Sequence, residues 1–378
     1  MTWTRTLYWL LLRRLRSSWA LLAITSFGIV AAVTLMSVGA IYSQVLAEGG
    51  LQHILATTDQ RALNVQVLTQ NRPLGPADYQ RLRSQAEEIS RSHLAHLMRG
   101  IERLGQTQGN LPVAFRNDGE NPGRGAPMGR PFFLTNFQQH AAIVEGRWPD
   151  KAPIMHEHGL EMEIAIGPQV AVTIGLDVGS QIFLVPFSSD PAEVIMLTIV
   201  GLMEPLDRED EYWMFSPSYF SVQKFGEEVL LPLYVPEEHF FAGLGTKYPS
   251  LVGDFGWFLF LDPGELTAAT AGPAKDALEG LESDINKQVP RTLVFTGLKN
   301  QILAYERTLT LARIPLFLFI SLVVVVILYF LALIMGLVAR SQASEAGLLR
   351  SRGAGVVQLT GLLILGESIV VLLAVAAG

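Results

Sequence analysis

The stretch IPLFLFISLVVVVILYFLALIMGLVA, residues 314–339, carries no charged side chain. A helix rises about 1.5 Å per residue, so this stretch is long enough to cross the roughly 30 Å hydrocarbon core of a bilayer. We therefore predict a transmembrane helix over residues 313–339. Pro315 would lie in its first turn, where the missing N–H group costs nothing.

An earlier apolar run follows Arg16 and predicts a first transmembrane helix over residues 18–46. The alternative is a cleaved signal peptide, because the letters VLA at 45–47 resemble a small-residue cleavage site. The apolar core of a signal peptide is usually only about 7 to 15 residues long. The longer run therefore favours an uncleaved anchor.

A third apolar run, residues 356–378, predicts a third transmembrane helix, which we expect to be truncated because the sequence is still apolar at its last residue. Glu367 lies near the middle of this run. An ionisable group at membrane depth is costly, which makes Glu367 a candidate functional residue. We expect a role in helix packing or assembly in preference to an ion path.

The charges beside these runs indicate a direction across the membrane. Residues 1–43 hold four arginines and no acidic residue, and residues 340–355 hold three arginines against Glu345. Residues 44–312 hold 33 acidic and 20 basic side chains, a balance that gives no support for nucleic-acid binding. Basic residues near a span favour the cytoplasmic side. We therefore expect a multi-pass protein of the cell membrane with a cytoplasmic N-terminus, a large extracytoplasmic domain and a cytoplasmic segment over residues 340–355.

Residues 5–16, RTLYWLLLRRLR, place Trp, Tyr and Leu among arginines. This composition is typical of a helix that lies in the headgroup layer of a membrane. We predict a cytoplasmic amphipathic interfacial helix over residues 1–17. The alternative is that these residues only continue the basic flank of a signal sequence.

The predicted outer region, residues 47–312, mixes helical and strand patterns. Helix formers predict helices over residues 76–104 and 296–313, and the chain also turns helical after Pro263. Residues 105–131 are rich in Gly, Pro and Asn and predict a long loop. Short apolar runs between turn residues predict strands (HAAIVEG, EIAIG, QIFLVPF and VIMLTIVGLM), and WMFSPSYF and WFLFL predict strands or core. The predicted fold class is therefore α+β: a helical membrane protein with at least three transmembrane helices and a large α+β domain between the first and second.

Several catalytic patterns are missing from the sequence. It has no cysteine, no phosphate loop of the form G-x-x-x-x-G-K-[ST], and no G-x-S-x-G or H-E-x-x-H motif. We therefore expect a non-catalytic chain with no metal or cofactor of its own. The nearest pattern to a metal site is His156-Glu157-His158 with Glu161 and Glu163 nearby, because H-x-H spacing places both imidazoles on one face of a strand. A solvated acidic loop is the favoured interpretation of that stretch.

The segment RSQASEAGLLRSRGAGVVQLTGLLILGES, residues 340–368, resembles a motif of the FtsX-like, MacB-type permeases of ABC transporters, the type VII or mechanotransmission class. The family pattern has an arginine-rich segment, then Glu-[IAV]-[GA]-[LT]-L-[RK]-[AS]-x-G-[AG], then Gln at the start of the next span and Glu within it. The matching residues are Glu345, Gly347, Leu348, Leu349, Arg350, Gly353, Gln358 and Glu367.

Two stretches of the outer region also resemble this family. VEGRWPD, residues 144–150, is similar to the G-R-x-P turn of the MacB-like periplasmic core domain. AVTIGLDVGSQIFL, residues 171–184, followed by IVGLMEP, residues 199–205, is similar to a second pattern of that domain. The chain departs from the family in carrying Ser180 and Gln181 where a charged pair is commoner, and in lacking a fourth span.

The resemblance implies a permease subunit that pairs with a second copy or a paralogue and with a separate cytoplasmic ATPase, which would hold the ATP and magnesium. ATP hydrolysis would move the spans and the outer domain. The outcome would be export or extraction of a lipoprotein, peptide or drug-like substrate, or activation of a cell-wall enzyme.

The cytoplasmic segment over residues 340–355 is the predicted coupling element. Its leucine pair would supply an apolar contact to the ATPase, its arginines charge, and its glycines a turn into the next span. The predicted coupling residues are Glu345, Gly347, Leu348, Leu349, Arg350, Arg352 and Gly353. The predicted packing or assembly residues are Gln358 and Glu367.

Three alternatives stay open. The segment over residues 340–355 could be a short loop whose arginines only fix topology. The chain could also be a membrane-bound sensor or receptor whose output domain is missing, although its cytoplasmic segments are too short for a kinase. An anchored outer enzyme is the third alternative, although no catalytic pattern marks it.

Overall fold

The computed structural model describes residues 19–108, 111–115, 125–187, 193–214, 218–226 and 228–351. These residues form two compact units. The helical unit contains the described residues up to Gly50 and those from Tyr305 onward, and the sheet unit contains Leu51–Ala304. The predicted interfacial helix over residues 1–17 and the predicted third span over residues 356–378 lie outside the described residues.

The secondary structure alternates between helices and short strands. The helices are α1 Trp19–Thr57, α2 Gln60–Leu63, α3 Pro76–Leu94, α4 Phe137–His140, α5 Pro168–Ile174, α6 Glu237–Phe240, α7 Ala271–Gln288 and α8 Leu298–Ser351. The strands are β1 Val65–Pro73, β2 Met98–Thr107, β3 Leu111–Ala114, β4 Met128–Leu134, β5 Ala141–Gly146, β6 Ile154–His156, β7 Gly159–Ile166, β8 Gln181–Leu184, β9 Val194–Pro205, β10 Gln223–Phe225, β11 Glu228–Tyr234, β12 Val252–Leu261 and β13 Thr292–Phe295. The mixed α+β class of the prediction is therefore confirmed.

The helical unit consists of parts of the two longest helices, α1 and α8. Among the described residues, one helix is long and apolar enough to cross a membrane, over Leu298–Ile334 of α8, and its most apolar window has no buried side chain. Phe317, for example, is 72% exposed. A helix that is apolar all round needs either a protein core or lipid around it. By length and composition this helix is a candidate membrane span, and it overlaps the predicted span over residues 313–339.

The predicted position of Pro315 at the start of a helix is wrong. α8 begins at Leu298, so Pro315 lies inside it. Proline in a helix interior removes one backbone hydrogen bond and crowds the carbonyl of the residue four positions earlier. The polar residues before the apolar run are also helix formers, and the helix therefore starts well before the charge-free stretch.

The sheet unit is built on thirteen described strands in the order β10-β11-β7-β9-β8-β3-β4-β2-β12-β1-β13, with β5 paired to β9 and β6 paired to β7. A further parallel pairing joins β11 to β4. The pairings therefore close a ring of six strands, β4-β11-β7-β9-β8-β3, which leaves no open edge within the ring. From β4 an antiparallel extension continues through β2, β12, β1 and β13.

The predicted helix over residues 76–104 is correct only in its first part. Pro76 occupies the first turn of α3, where proline is favoured, and the helix ends at Leu94. From Met98 the chain forms β2, which pairs with β12 along nearly its whole length. Residues 98–104 have good helix propensity, but cross-strand pairing outweighs local propensity.

The predicted loop over residues 105–131 also contains strand at both ends and in its middle. β2 continues to Thr107, β3 covers Leu111–Ala114, and β4 starts at Met128. The WMFSPSYF stretch, in contrast, contributes to the core from short 3₁₀ turns instead of strands. The core cluster around it includes the buried aromatic side chains of Phe132, Phe137, Tyr212, Trp213, Phe220, Tyr234 and Phe258. Each large aromatic ring buries much surface, so this cluster is a substantial apolar core of the sheet unit.

Candidate functional site

Five of the residues that the sequence marks lie in the last part of α8. Glu345, Leu348 and Leu349 are three of them. Gly347 and Arg350 belong to the same helical segment. The other four marked residues lie outside the described residues: Arg352, Gly353, Gln358 and Glu367.

α8 joins the predicted coupling positions to the chain of the sheet unit. Its 54 residues run from Leu298, within that unit, to Ser351 without an interruption of helix. The first twelve residues of the predicted segment 340–355 are therefore helical, which differs from a simple loop.

The VEGRWPD stretch forms the end of β5 and a tight turn after it. Gly146 has a φ of 80°, and the N–H of Arg147 donates to the carbonyl of Val200 at 2.9 Å. This turn directs the Arg147 guanidinium toward Glu163 on β7, with Nη1 to Oε2 at 2.7 Å and Nη2 to Oε1 at 2.5 Å. The G-R-x-P similarity thus corresponds to a two-pronged ion pair that fixes the turn to the sheet.

The carboxylate of Glu163 accepts hydrogen bonds from several donors. In addition to Arg147, the backbone N–H groups of Asp150 and Lys151 each donate to Oε2 at 3.3 Å. Burial of Glu163 opposes its ionisation, but the hydrogen bonds from Arg147, Asp150 and Lys151 outweigh burial and lower its pKa to about 2. The ion pair therefore holds at neutral pH.

The candidate metal ligands near His156 do not converge on one point. Nε2 of His156 lies 3.5 Å from Oε2 of Glu161, across the β6–β7 hairpin. Glu163 instead faces Arg147, and the Nζ of Lys247 donates to the His156 carbonyl at 2.9 Å. Among the described residues, no group of three or more metal-ligating side chains comes together.

The second family-like stretch forms α5, a turn and β8. α5 ends at Ile174 and is capped by Gly175, whose φ is 68°, and β8 pairs antiparallel with β9. IVGLMEP belongs to β9. Ser180 and Gln181, where the family more often has a charged pair, lie at the start of β8, and Gln181 pairs with Thr198. The stretch therefore has a structural place in the closed ring of strands.

A polar network attaches α3 to the sheet. The Tyr79 hydroxyl donates to Oε1 of Glu237 at 2.9 Å, and Arg103 Nη2 donates to Oε2 of the same carboxylate at 2.8 Å. Burial raises the pKa of Tyr79, and the Glu237 charge raises it further. Burial also opposes ionisation of Glu237, but Arg103 and Tyr79 lower the pKa of that carboxyl below its usual value. The three side chains satisfy one another's hydrogen-bonding capacity, which indicates a structural role in holding α3 to the sheet.

A cavity of about 250 Å³ lies on one face of the sheet. Residues two apart along a strand lie on the same face, and the alternation of β1, β2 and β4 places their polar and apolar residues around this space. β12 contributes Asp254, which pairs with Gln106 of β2. The lining residues are Gln66, Leu68, Gln70, Leu104, Gln106, Arg130, Phe132, Ser218, Tyr219, Gln223, Pro232 and Asp254.

Two opposite charges face this cavity. Burial lowers the pKa of Arg130, while the charge of Asp254 acts in the opposite direction. Burial also raises the pKa of Asp254, against the effects of the Asn71 N–H, the Arg130 charge and Gln106. The Asn71 N–H donates to Oδ1 at 3.2 Å from a bulge in β1, where Asn71 has a φ of 57°. Bulges often redirect groups toward functional sites, and this one supplies a donor to the cavity carboxylate.

No pattern in the sequence pointed to this cavity. Its charged residues lie on different strands, and the region around Arg130 was expected to be a loop. One signal was present: Gln66, Leu68 and Gln70 alternate with residues of the opposite face. Alternation indicates a strand, but it does not indicate which partner strand completes a site.

No protein-family profile matches this chain. No curated protein matches it either. Among solved structures, a domain of a protein described as a candidate permease from Porphyromonas gingivalis is similar at 13% sequence identity and a TM-score of 0.29, over 63% of this chain and 88% of that chain. Likeness at that TM-score is too low to support an inference about function, so the residues of this chain have to support it themselves.

Proposed function

We propose that this chain is the membrane-embedded permease subunit of an FtsX-like, MacB-type ABC transporter. In this proposal a separate cytoplasmic ATPase, with ATP and magnesium, binds the end of α8, and its hydrolysis cycle moves the outer unit. The chain itself is non-catalytic. Its partners are that ATPase, a second copy or paralogue, the bilayer, and a lipoprotein, peptide, drug-like molecule or cell-wall enzyme outside.

The observation that carries the proposal is the continuity of α8. One helix contains the end of the sheet unit, the exposed apolar run and the predicted coupling positions up to Arg350. In this proposal the helix is the direct covalent connection between the end that binds the ATPase and the outer unit. The arginines at both cytoplasmic flanks support the same orientation.

The coupling step is tested with the double substitution Arg350→Glu and Leu348→Ala in the tagged full chain, purified from membranes of its native host. We expect an ABC-type ATPase to co-purify with the unaltered chain. The amount of ATPase that co-purifies with the double variant should be about tenfold lower. This corresponds to a loss of about 1.4 kcal/mol of binding free energy. Mass spectrometry and ATP hydrolysis of the eluate measure both quantities.

A matched control for the coupling test is Arg81→Glu with Leu206→Ala. Both residues are exposed in the sheet unit, so this pair changes the same residue types away from the segment. It should leave the co-purified ATPase unchanged. Absence of any ATPase with the unaltered chain, or equal retention by the Arg350→Glu, Leu348→Ala variant, would contradict the proposal.

The proposed orientation predicts a labelling pattern that the cysteine-free sequence makes easy to read. Ser84 is exposed on α3 in the sheet unit, and Ser344 lies near the end of α8. A membrane-impermeant maleimide added to intact cells should label Ser84→Cys and leave Ser344→Cys unlabelled. Ser344→Cys should react only after the membrane is permeabilised. Labelling of Ser344→Cys in intact cells would reverse the topology.

A further inference from the structure

The floor of the cavity on the sheet face comes from side chains that share that face. Asp254 of β12 pairs with Gln106 of β2, and Gln106 pairs in turn with Phe132 of β4. Residues two apart along a strand lie on the same face, so Leu104 shares this face with Gln106. Leu68 of β1 also lines the cavity. The floor is therefore a continuous surface of polar and apolar groups across four neighbouring strands.

The two charged side chains of the lining already compensate each other. Burial lowers the pKa of Arg130, and the charge of Asp254 opposes that effect. Burial raises the pKa of Asp254, and the Asn71 N–H, the Arg130 charge and Gln106 oppose it. The pair brings no net charge to the cavity. A charged ligand would lose water on entering without meeting an unpaired opposite charge, so the cavity favours a neutral ligand.

Three polar side chains of the lining have no partner within the protein. Among the described residues, no hydrogen bond involves the side-chain amides of Gln66 and Gln70 or the hydroxyl of Tyr219. Burial raises the pKa of Tyr219, so its hydroxyl stays protonated and both donates and accepts. Each amide offers two donors and an acceptor. Hydroxyl groups on a ligand match all three side chains, because a hydroxyl also donates and accepts without carrying a charge.

The rest of the lining supplies hydrocarbon surface. Leu68, Leu104 and Pro232 contribute aliphatic groups. The rings of Phe132 and Tyr219 stack, with their centroids 5.1 Å apart. The face of an aromatic ring is electron-rich and attracts C–H groups. A sugar ring has the matching surface, because its hydroxyl groups point outward from its edge while its faces carry C–H groups.

The size of the cavity limits the ligand further. Sites for drug-sized molecules have volumes of roughly 300–1,000 Å³. At about 250 Å³ this cavity lies below that range. A single sugar ring with its hydroxyl groups is smaller than a drug-sized molecule, so the volume suits one ring.

We infer that this cavity binds one uncharged sugar ring, with ring hydroxyls on Gln66, Gln70 and Tyr219 and the C–H groups against the apolar lining. A free monosaccharide and the terminal unit of a glycan share this chemistry. The inference rests on the sheet unit alone and does not depend on the proposed ATPase coupling.

The first test compares neutral and charged sugars on the unaltered full chain. The chain is held in lipid nanodiscs, because many detergents carry a sugar headgroup. The neutral probes are D-glucose, D-galactose and N-acetyl-D-glucosamine. The charged probes are D-glucuronate, with a carboxylate, and D-glucosamine in slightly acidic buffer, where its amine is charged. Saturation-transfer NMR titrations measure each affinity.

At least one neutral sugar should bind at millimolar concentration. The charged sugars should bind at least about tenfold more weakly than the best neutral one, as expected when a charge enters a site without a partner. The inference is wrong if none of the neutral sugars binds, or if the charged sugars bind as well as the neutral ones.

Matched disaccharides separate the two sources of the ring. Maltose and diacetylchitobiose extend glucose and N-acetylglucosamine by a second ring. A disaccharide that binds as well as its monosaccharide assigns the cavity to the end of a glycan. A loss of at least about tenfold assigns it to a free monosaccharide.

The second test removes single hydrogen-bonding groups. Gln66→Met and Tyr219→Phe keep most of the side-chain volume, and each should weaken binding of the best neutral sugar about two- to tenfold, the usual effect of one neutral hydrogen bond. The matched controls are Gln80→Met, exposed on α3, and Tyr329→Phe, exposed on α8. Both controls should leave the affinity unchanged. Unchanged affinity in both cavity variants would remove the assigned contacts and overturn the inference.

The third test concerns the charge balance of the cavity. Asp254→Asn removes the negative charge that acts on Arg130. The preference for neutral sugars over glucuronate should then fall at least about threefold, because the positive charge is no longer compensated by Asp254. An unchanged preference would show that charge compensation does not select the ligand. Should this variant fail to fold, the neutral and charged sugars on the unaltered chain still decide the question.

These results are distinguishable from a failure of the proposed function. Absence of sugar binding by a chain that retains its ATPase would refute only the ligand. Sugar selectivity in a chain with which no ATPase co-purifies would refute only the coupling.

Discussion

Gly146→Ala is expected to lower the free energy of unfolding by about 2–5 kcal/mol, the combined cost of a left-handed backbone at a non-glycine residue and of overpacking. Gly146 has a φ of 80°. A Cβ at this position would lie 2.2 Å from the carbonyl oxygen of Val200 and 3.1 Å from the Cα of Gly201. Both contacts are with backbone of β9, which is unable to move aside without breaking its pairing with β5. Urea unfolding of the full chain in detergent, followed by tryptophan fluorescence, measures the change.

Two other glycines separate the causes of this loss. Gly175 has a φ of 68° but open space around its Cβ position, so Gly175→Ala should cost only about 1–2 kcal/mol from backbone strain. Gly100 has neither a positive φ nor a near neighbour, and Gly100→Ala should stay within about 0.5 kcal/mol of the unaltered chain. If Gly146→Ala costs no more than Gly175→Ala, the close contact with Val200 is not rigid.

Glu163→Gln is expected to destabilise the sheet unit by about 2–3 kcal/mol at neutral pH, because removal of a charge from a hydrogen-bonded pair leaves its partner poorly matched. The Glu163 side chain is 9% exposed and bonded to Arg147, whose side chain is 42% exposed. Water around Arg147 lessens the loss compared with a fully buried pair. The same unfolding measurement in urea gives the difference between the variant and the unaltered chain.

This difference should depend on pH in a defined direction. The folded-state pKa of Glu163 lies at about 2, below its ordinary value of 4.5. A lowered pKa gives stability that is fully present above pH 4.5 and is lost as the pH falls toward 2. The gap between the unaltered chain and Glu163→Gln should therefore be constant near neutral pH and shrink steadily below pH 4.5.

Glu145→Gln is the control for the pH profile. Glu145 is an exposed carboxylate on β5, in the same turn region, and its replacement should change stability by less than about 0.5 kcal/mol. A gap for Glu163→Gln that stays constant down to pH 2 would show that the carboxylate charge does not stabilise the pair. The turn would then be held by its backbone hydrogen bonds alone.

The strand predictions succeeded where the pattern was local. Each predicted stretch contains residues of one strand: HAAIVEG of β5, EIAIG of β7, QIFLVPF of β8, VIMLTIVGLM of β9 and WFLFL of β12. Short apolar runs between turn residues have few alternatives to a strand, whatever lies beside them. The predicted helix over residues 76–104 is wrong only after Leu94, because β12 supplies a pairing partner for β2 that local propensity does not include.

The coupling segment and the cavity differ in the same respect, because only the first has a local pattern in the sequence. The segment with Glu345, Leu348 and Arg350 was marked by a contiguous motif, and the structure places these positions on α8. Its role in coupling stays a prediction, and Gln358 and Glu367 lie outside the described residues. The cavity of Arg130 and Asp254 has no contiguous motif, since its lining comes from six strands and a short turn.

By itself, the sequence determined the uncharged run over residues 314–339, the arginine flanks and the α+β class. These follow from composition and short-range periodicity, which act on each segment regardless of its neighbours. Only the tertiary structure decided that Arg147 meets Glu163, and that Arg130 and Asp254 share a cavity. Those contacts depend on strand order and register, and register is fixed by which apolar faces are buried together, a property of the whole sheet that no single segment contains.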